Sequence, residues 1–416
     1  MEYVFACDIG TSSLKTALIH TDGKVSCLLR TFFSEQVSAE TYVSLFLAHF
    51  EKTTKELADN GDNAKIVGIC ISGNGPSLVA VPKNQKPVIE FSEKKQLCEH
   101  TIFLWNNGVD KSILSNPKMQ LQKKELDKLH SIFLPRFFLF ALQHPQPFYN
   151  AQYLLPVPEY LSFYLTGNAY TFLVNDAFVS AYWDKQKIES LQSSLQALTH
   201  KEICIQDRLA PFVKTGSIIG HFRSIPVIAG APDFCMALIG TKTIEVHSAC
   251  DRAGTSEAFN VCVDKKPTLS SFRIMPSIRE KYWNVSKLFG ETGALLQTST
   301  VEIEELLSGK KSIKNLSTHL QAYIQSLKDT VCTLEDMCNT KLQFTITGGQ
   351  AENKMLCQLK ANVCKRPFVV TQTNHAELLG SGIVGFTGLQ YYRSIEQACN
   401  AMVQFCDMYS PKPCSY

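Results

Sequence analysis

A glycine–hydroxyl turn between two strand-like apolar runs occurs twice in this chain, and no other feature restricts its fold as strongly. The first copy, Asp8-Ile-Gly-Thr-Ser-Ser-Leu-Lys15, joins an apolar run at 3–7 to another at 14–19. The second, Asp251-Arg-Ala-Gly-Thr-Ser-Glu257, lies between runs at 245–249 and 257–262. Glycine permits a hairpin this tight, and the backbone N–H groups around it converge on an anion. Thr11, Ser12, Thr255 and Ser256 add hydroxyl donors beside Gly10 and Gly254. Two such hairpins from facing domains make a phosphate clamp. Asp8, at a strand end, is suited to hold a hydrated magnesium ion that offsets phosphate charge. Lys15 reads either as a phosphate contact or as a strand-edge charge.

The spacing of the two turns implies two domains, and 416 residues exceed what one core usually holds. After the first hairpin, Thr21-Asp22-Gly23-Lys24 is a tight-turn signal leading into a strand at 25–30. The pattern then predicts a helix at 39–58 and a strand covered on both faces at 65–71. Residues 120–198 read as mostly helical and insertion-like. Near 223 the sheet pattern resumes, with a strand at 225–229, a turn at 230–233 and a helix from 234 to 239. Strands follow at 245–249, 257–262 and 271–275, then helices at 285–297 and 316–337. A strand at 342–347, a helix at 351–363, a last strand at 368–370 and a last helix at 376–389 complete the prediction. The chain is therefore expected to be α/β with a boundary near 224. Residues 1–224 would carry the first phosphate turn and the substrate side, and 225–416 the catalytic aspartate and the nucleotide.

Two further motifs lie in the second half. Thr347-Gly-Gly-Gln-Ala-Glu-Asn353 runs from a strand into a helix. Gly348 and Gly349 let a flat group approach the backbone, and the helix start supplies N–H donors, so an adenine or ribose fits beside Asn353. Ala229-Gly-Ala-Pro-Asp-Phe-Cys-Met-Ala-Leu-Ile-Gly240 places Asp233 at the N-terminal end of a helix. The helix dipole keeps such a carboxylate ionised, as a base for a hydroxyl proton must be. The plainer reading makes Asp233 a helix N-cap.

Composition narrows the function classes. The 41 basic and 38 acidic residues nearly balance, giving a net charge of +3, and no segment concentrates the excess into a nucleic-acid track. Lys123-Lys124 and Lys310-Lys311 read as solvated surface. The apolar stretch 132–142 contains Pro135 and Arg136 and is too short to span a bilayer. An acidic Glu2, and Asp8 within the first apolar run, argue against a signal peptide. The 15 cysteines are odd in number and contain no Cys-x-x-Cys. Cys7, Cys70, Cys235 and Cys262 fall in apolar runs, where free cysteine behaves as a small hydrophobe. Cys357/Cys364 and Cys399/Cys406, seven apart, are better read as core than as a zinc site. A reduced, cytoplasmic setting follows.

In order and spacing, the four motifs resemble the FGGY carbohydrate kinase family, relatives of glycerol kinase and xylulokinase, over nearly the whole chain. Cys70-Ile-Ser-Gly-Asn-Gly75 resembles the family's first substrate loop. Residues 150–167, ending in Leu165-Thr-Gly167, are similar to a segment common in these kinases. The resemblance implies two RNase-H-like domains of the actin/hexokinase-type ASKHA fold with an interdomain cleft. It implies ATP and Mg2+, a small sugar or polyol acceptor, and hinge closure that excludes water. Asp233 is then the base; Gly10, Thr11, Ser12, Lys15, Gly254, Thr255, Ser256, Gly348, Gly349 and Asn353 contact the nucleotide. Asn74, Trp105, Asn106 and Asp233 face the acceptor, and Asp8 organises the metal.

Two departures stand out. The family's Trp-x-Asp-x-Arg is replaced by Trp105-Asn-Asn-Gly-Val109, which lacks the bidentate guanidinium. After Leu307 the chain also runs directly into Ser-Gly-Lys-Lys and a long helix, where most relatives carry a further subdomain. An active kinase is the leading expectation. A degenerate nucleotide- or sugar-binding sensor is the alternative, and an actin- or chaperone-like ATPase is disfavoured by the segments at 70–75 and 150–167. No nucleic acid or membrane is expected as a partner. The sequence leaves the acceptor and the oligomeric state open, a homodimer included.

Overall fold

The structure, a computed structural model, describes residues 1–33, 37–59, 64–83, 100–108, 110–115, 133–201 and 204–412. The chain opens as an antiparallel meander of β1 (Glu2–Ile9), β2 (Ser13–His20) and β3 (Val25–Phe32). β1 and β2 are almost wholly buried, with apolar runs at 3–7 and 17–19, as suits central strands. β3 alternates between half-buried and exposed positions and closes the sheet at one edge. The helix Ala39–Asp59 then crosses over, and β4 (Lys65–Gly73) returns parallel to β1. Phe46 and Phe50 from that helix pack edge-on against Phe5 of β1, with ring centroids 5.5 and 5.3 Å apart.

The middle of this half carries two small sheets. β5 (Leu78–Pro82), β6 (Ile102–Phe103) and β7 (Ala151–Pro156) form an antiparallel trio, and β8 (Thr171–Leu173) pairs with β9 (Phe212–Lys214). Helices Leu134–Gln143, Val157–Thr166 and Lys185–Thr199 lie among them. The helical expectation for 120–198 thus missed β7 and β8; residues 120–132 of it, with Lys123-Lys124, lie outside the described residues. β10 (Ile218–Phe222) and β11 (Ile225–Ile228) complete the first large sheet, ordered β10-β11-β4-β1-β2-β3.

The second large sheet repeats the opening. β12 (Ala249–Ala253), β13 (Glu257–Val263) and β15 (Trp283–Gly290) form an antiparallel meander, with β14 (Arg273–Pro276) beyond β15. β16 (Phe344–Thr347) lies parallel to β12 as β4 does to β1. β17 (Phe368–Thr371) and β18 (Phe405–Tyr409) extend it to the order β14-β15-β13-β12-β16-β17-β18. The helix Thr318–Cys338 buries Leu320, Ile324, Leu327, Val331 and Leu334 at three-to-four spacing against this sheet's core. Two sheets of this RNase-H-like kind, each with its own core, are the two-domain ASKHA architecture.

The chain divides into Met1–Met236 with Val384–Arg393, and Ala237–Ile383 with Ser394–Tyr416. The division expected near 224 therefore falls later, because β11 pairs with β4 and belongs to the first sheet. Asp233 accordingly lies in the first unit, not the second. Other expectations are corrected as well. The strand at 245–249 lies instead at Ala249–Ala253, because Glu245 and Ser248 close a turn on each other. The helix at 285–297 begins only at Thr292: Trp283–Gly290 is claimed as a strand by pairing with both β13 and β14, and Gly290 (φ 77°) turns the chain. The helix at 351–363 splits into a 3-10 turn, Gly349–Glu352, and a helix, Lys354–Cys364. The strand and helix expected to be last are followed by the helix Ile395–Met402 and β18.

Cys7, Cys70, Cys235 and Cys262 are fully buried in the cores, and burial pushes the Cys262 thiol up to about 11. Cys357 and Cys364 lie in the second core, whereas Cys406 is exposed. Among the described residues no helix is long and apolar enough to cross a membrane, and no three His, Cys, Asp or Glu side chains gather as metal ligands.

Candidate active site

In the first unit, β11, β4 and β1 are neighbouring parallel strands, so their carboxyl ends meet at one edge of the sheet. In open α/β sheets that edge is where ligands bind, because the loops leaving it are free of ladder pairing. Asp8 and the turn Gly10-Thr-Ser12 leave β1, Asn74 leaves β4, and Asp233 follows β11. Pro232 bridges to Gly73 beside Asn74, which brings the last two together. The backbone makes this junction tight: a Cβ on Gly230 would lie 1.8 Å from the Ile71 carbonyl oxygen.

The first turn is closed by a hydrogen bond from Gly10 N–H to the Ser13 carbonyl, 2.9 Å. Thr11 and Ser12 are exposed at its tip, while the buried Ser13 hydroxyl accepts from Arg30 Nε at 3.0 Å. Asp8, 2% exposed, faces Lys15 across the hairpin register, Nζ to Oδ2 3.4 Å. The Thr11 hydroxyl is the meeting point of two elements. It accepts from the Trp105 indole at 3.2 Å and from the Asn74 amide at 3.5 Å. Ser77, which the sequence did not single out, ties them: its hydroxyl donates to Asn74 Oδ1 (3.2 Å) and accepts from Trp105 N–H (3.0 Å).

Trp105 and Asn106 are exposed, whereas Asn107 turns Oδ1 back onto Leu104 N–H at 2.7 Å. A guanidinium does reach this loop, though from another element. Arg136, on the helix Leu134–Gln143, donates to the carbonyls of Leu104 and Asn107 and stacks over Phe103 at 4.0 Å. An arginine inside the apolar 132–142 run was the available signal. Asp233 opens the helix Asp233–Gly240 and is half-buried; its Oδ1 accepts from Phe234 N–H at 2.6 Å. A separate cavity of about 760 Å³ is lined by Glu2, Lys65 and Ile225, which start β1, β4 and β11. It therefore sits at the opposite end of those strands and contains none of the predicted site residues.

In the second unit the turn Gly254-Thr-Ser256 resembles the first but closes one residue sooner. Gly254 N–H bonds to the Ser256 carbonyl at 3.0 Å, and Thr255 and Ser256 are exposed at the tip. Gly348 (φ 90°) sits directly beneath: a Cβ there would lie 2.6 Å from the Ala253 carbonyl oxygen, so only glycine fits. Gly293, unmarked in the sequence, presses on the same turn, its N–H bonding to the Thr255 carbonyl at 3.1 Å. Nothing crowds Gly349. Asn353 is exposed, but its Oδ1 already caps the helix behind it, accepting from Met355 and Leu356 N–H at 3.0 and 3.3 Å.

Behind this turn lies a charge cluster that the motifs did not reveal. Lys360 Nζ stands 2.5 Å from Asp251 Oδ2 and 3.2 Å from Glu257 Oε1, all three side chains without solvent exposure. Burial pushes the Asp251 carboxyl up to about 7, with Lys360 opposing and Glu257 reinforcing the shift. Burial would lower the Lys360 ammonium, but the two carboxylates outweigh it and raise it. The signal in the sequence was a lysine three and four residues from Leu356, Cys357, Val363 and Cys364, on the buried face of a helix.

Two family models match the chain. Residues 3–240 match the N-terminal domain, and 309–389 the C-terminal domain, of the FGGY family of carbohydrate kinases. The xylulose kinase of Lactococcus lactis subsp. lactis is 21% identical over 474 aligned positions, covering 97% of this chain and 91% of that one. Since the chain has only 416 residues, that relative carries segments missing here. A ligand-bound xylulose kinase from Lactobacillus acidophilus superposes with a TM-score of 0.75 at 17% identity, covering 99% of this chain and 94% of that one. A gluconate kinase from the same organism gives 0.75 at 16% identity with the same coverage, 99% and 94%.

Proposed function

This chain belongs to the FGGY family of carbohydrate kinases, and from that premise we propose that it transfers the γ-phosphoryl group of ATP to a hydroxyl of a small sugar or polyol, with Asp233 as the general base. The observation that carries this reading is the shared hydroxyl of Thr11, which links the first glycine turn to Asn74 and Trp105. A phosphate turn and a wall of amide, indole and hydroxyl groups thereby adjoin, as transfer to an alcohol requires.

Each residue has a role in that chemistry. Gly10, Thr11 and Ser12 on one turn, and Gly254, Thr255 and Ser256 on the other, donate to phosphate oxygens. Gly348, Gly349 and Asn353 border the adenosine. Asn74, Trp105 and Asn106 orient the acceptor, Trp105 offering an apolar face that suits the C–H side of a sugar ring. Asp233 takes the hydroxyl proton as the oxygen attacks the γ-phosphorus, and ADP leaves with the bridging oxygen's electron pair. Asp8 fits a magnesium ion by donor type, an enclosed carboxylate at a strand end. When bound with the nucleotide, the ion neutralises developing phosphate charge. Lys15, paired with Asp8 at 3.4 Å, keeps that carboxylate in place.

The deciding experiment replaces Asp233 with Asn and measures both ATP binding and transfer to a panel of sugars and polyols. The expected loss in kcat is about 10²–10⁴-fold with ATP affinity nearly unchanged. Equal turnover in the variant removes Asp233 from the role of base. Because Asn107 turns its carbonyl inward and the Trp-x-Asp-x-Arg carboxylate is lacking, a nucleotide-binding sensor is the second reading. Wild-type protein that binds ATP yet phosphorylates no member of the panel would favour it.

A further inference from the structure

The cluster around Lys360 reaches the second glycine turn from both sides. Asp251 precedes Gly254 by three residues, and Glu257 directly follows Ser256. Glu257 also accepts from the Tyr323 hydroxyl, 3.0 Å to each oxygen, and from the Thr292 hydroxyl at 2.7 Å. Thr292 Oγ1 in turn accepts from Gln350 Nε2 at 3.0 Å, and the same amide donates to the Gly254 carbonyl at 3.0 Å. A continuous chain of polar contacts thus runs from Lys360 through Glu257, Thr292 and Gln350 to the first residue of the turn. Its members are buried: Glu257 is 1%, Thr292 3% and Gln350 6% exposed.

Stability does not account for this arrangement. Enclosing two carboxylates and one ammonium costs desolvation energy that their attraction seldom recovers, and apolar side chains of similar volume often do as well or better. What charged groups add is orientation: each fixes a partner at one distance and direction. Here the partners are the two residues that start and end the segment 251–257.

We propose that Lys360 is a positioning residue for ATP phosphates, acting through Asp251 and Glu257 to hold the Gly254-Thr255-Ser256 turn in its phosphate-accepting shape. Lys360 has no exposed surface and so acts only through others. The inference rests on the kinase reading above. It predicts that the network matters for phosphate binding rather than for adenosine, which borders Gly348 and Gly349.

The test is calorimetric titration of ATP and of adenosine into the full-length chain, with the thermal midpoint measured alongside. One variant, Asp251→Asn/Glu257→Gln/Lys360→Met, removes every charge while nearly keeping the volume. It should weaken ATP about tenfold and leave adenosine within about twofold, whatever happens to the midpoint. A second variant, Thr292→Val, cuts the link to Gln350 without touching the charges, and should weaken ATP about threefold with the same selectivity. It decides the matter if the triple variant fails to fold. A merely structural role would weaken both ligands alike or neither, and either outcome overturns the inference while leaving the kinase reading intact. Wild-type protein that binds no ATP overturns the kinase reading and this inference with it.

Discussion

Glu159 sits in the first turn of the helix Val157–Thr166 with 6% exposure, and its carboxylate accepts from backbone N–H groups, that of Phe172 at 3.3 Å from Oε1. Burial is the leading cause that pushes this carboxyl up to about 8. A carboxyl whose folded pKa is raised favours the folded state below its ordinary value of 4.5 and loses that contribution as pH rises to about 8. Glu159→Gln keeps the acceptor and removes the titration. Relative to wild type, the variant should therefore gain about 4 kcal/mol between pH 4.5 and pH 8. Thermal midpoints of the two proteins measured across that range check the sign; parallel curves would show that Glu159 is ionised at little cost. Asp233, the proposed base, is half-buried at the start of its helix, where its Oδ1 accepts from Phe234 N–H.

At the scale of elements, the junctions around that helix depend on backbone contact. Gly230 lies between β11 and Asp233, and any side chain there would collide with the Ile71 carbonyl of β4. At the far end of the helix, a Cβ on Gly240 would lie 2.0 Å from the Ala376 carbonyl oxygen. Neither collision involves a flexible side chain, so the strands and helices themselves would have to move. Gly230→Ala should cost about 3 kcal/mol or more and lower kcat together with stability, because the displaced segment carries Asp233. Denaturant unfolding and steady-state kinetics on the same preparation test this. A Gly230→Ala protein of unchanged stability would mean that the junction yields easily. Asn353 illustrates the opposite case, in which a proposed site residue doubles as a helix cap, so replacing it would perturb the helix as well as any ligand contact.

For the whole molecule, the chain passes between units at three points, within the helix Asp233–Gly240, within the helix Ala376–Gly388, and after Arg393. A ligand that binds only the folded protein raises its midpoint by mass action, by about 2.7 kcal/mol at a hundredfold excess over its dissociation constant. Scanning the thermal midpoint with MgATP, and then with sugars and polyols one at a time, should show a concentration-dependent rise for ATP and for the true acceptor. No rise with MgATP at any concentration would contradict nucleotide binding outright.

Strand and helix periods, and the placement of glycine beside Thr and Ser, were readable without coordinates. They sufficed for the first hairpin, the second glycine turn, the strand after each, and the family, because these are local patterns imposed by backbone geometry. Residues 285–290 were misread because their apolar spacing suits a helix as well as a strand, and pairing with two neighbours decided the matter. The division of the chain was likewise invisible: only the pairing of β11 with β4 assigns Asp233 to the first unit. Ser77, Arg136, Thr292 and Lys360 became meaningful only through partners far along the chain. Local pattern specifies which turns a chain can make; which charges and hydroxyls meet beneath them is a long-range outcome of packing, and that the tertiary structure alone decides.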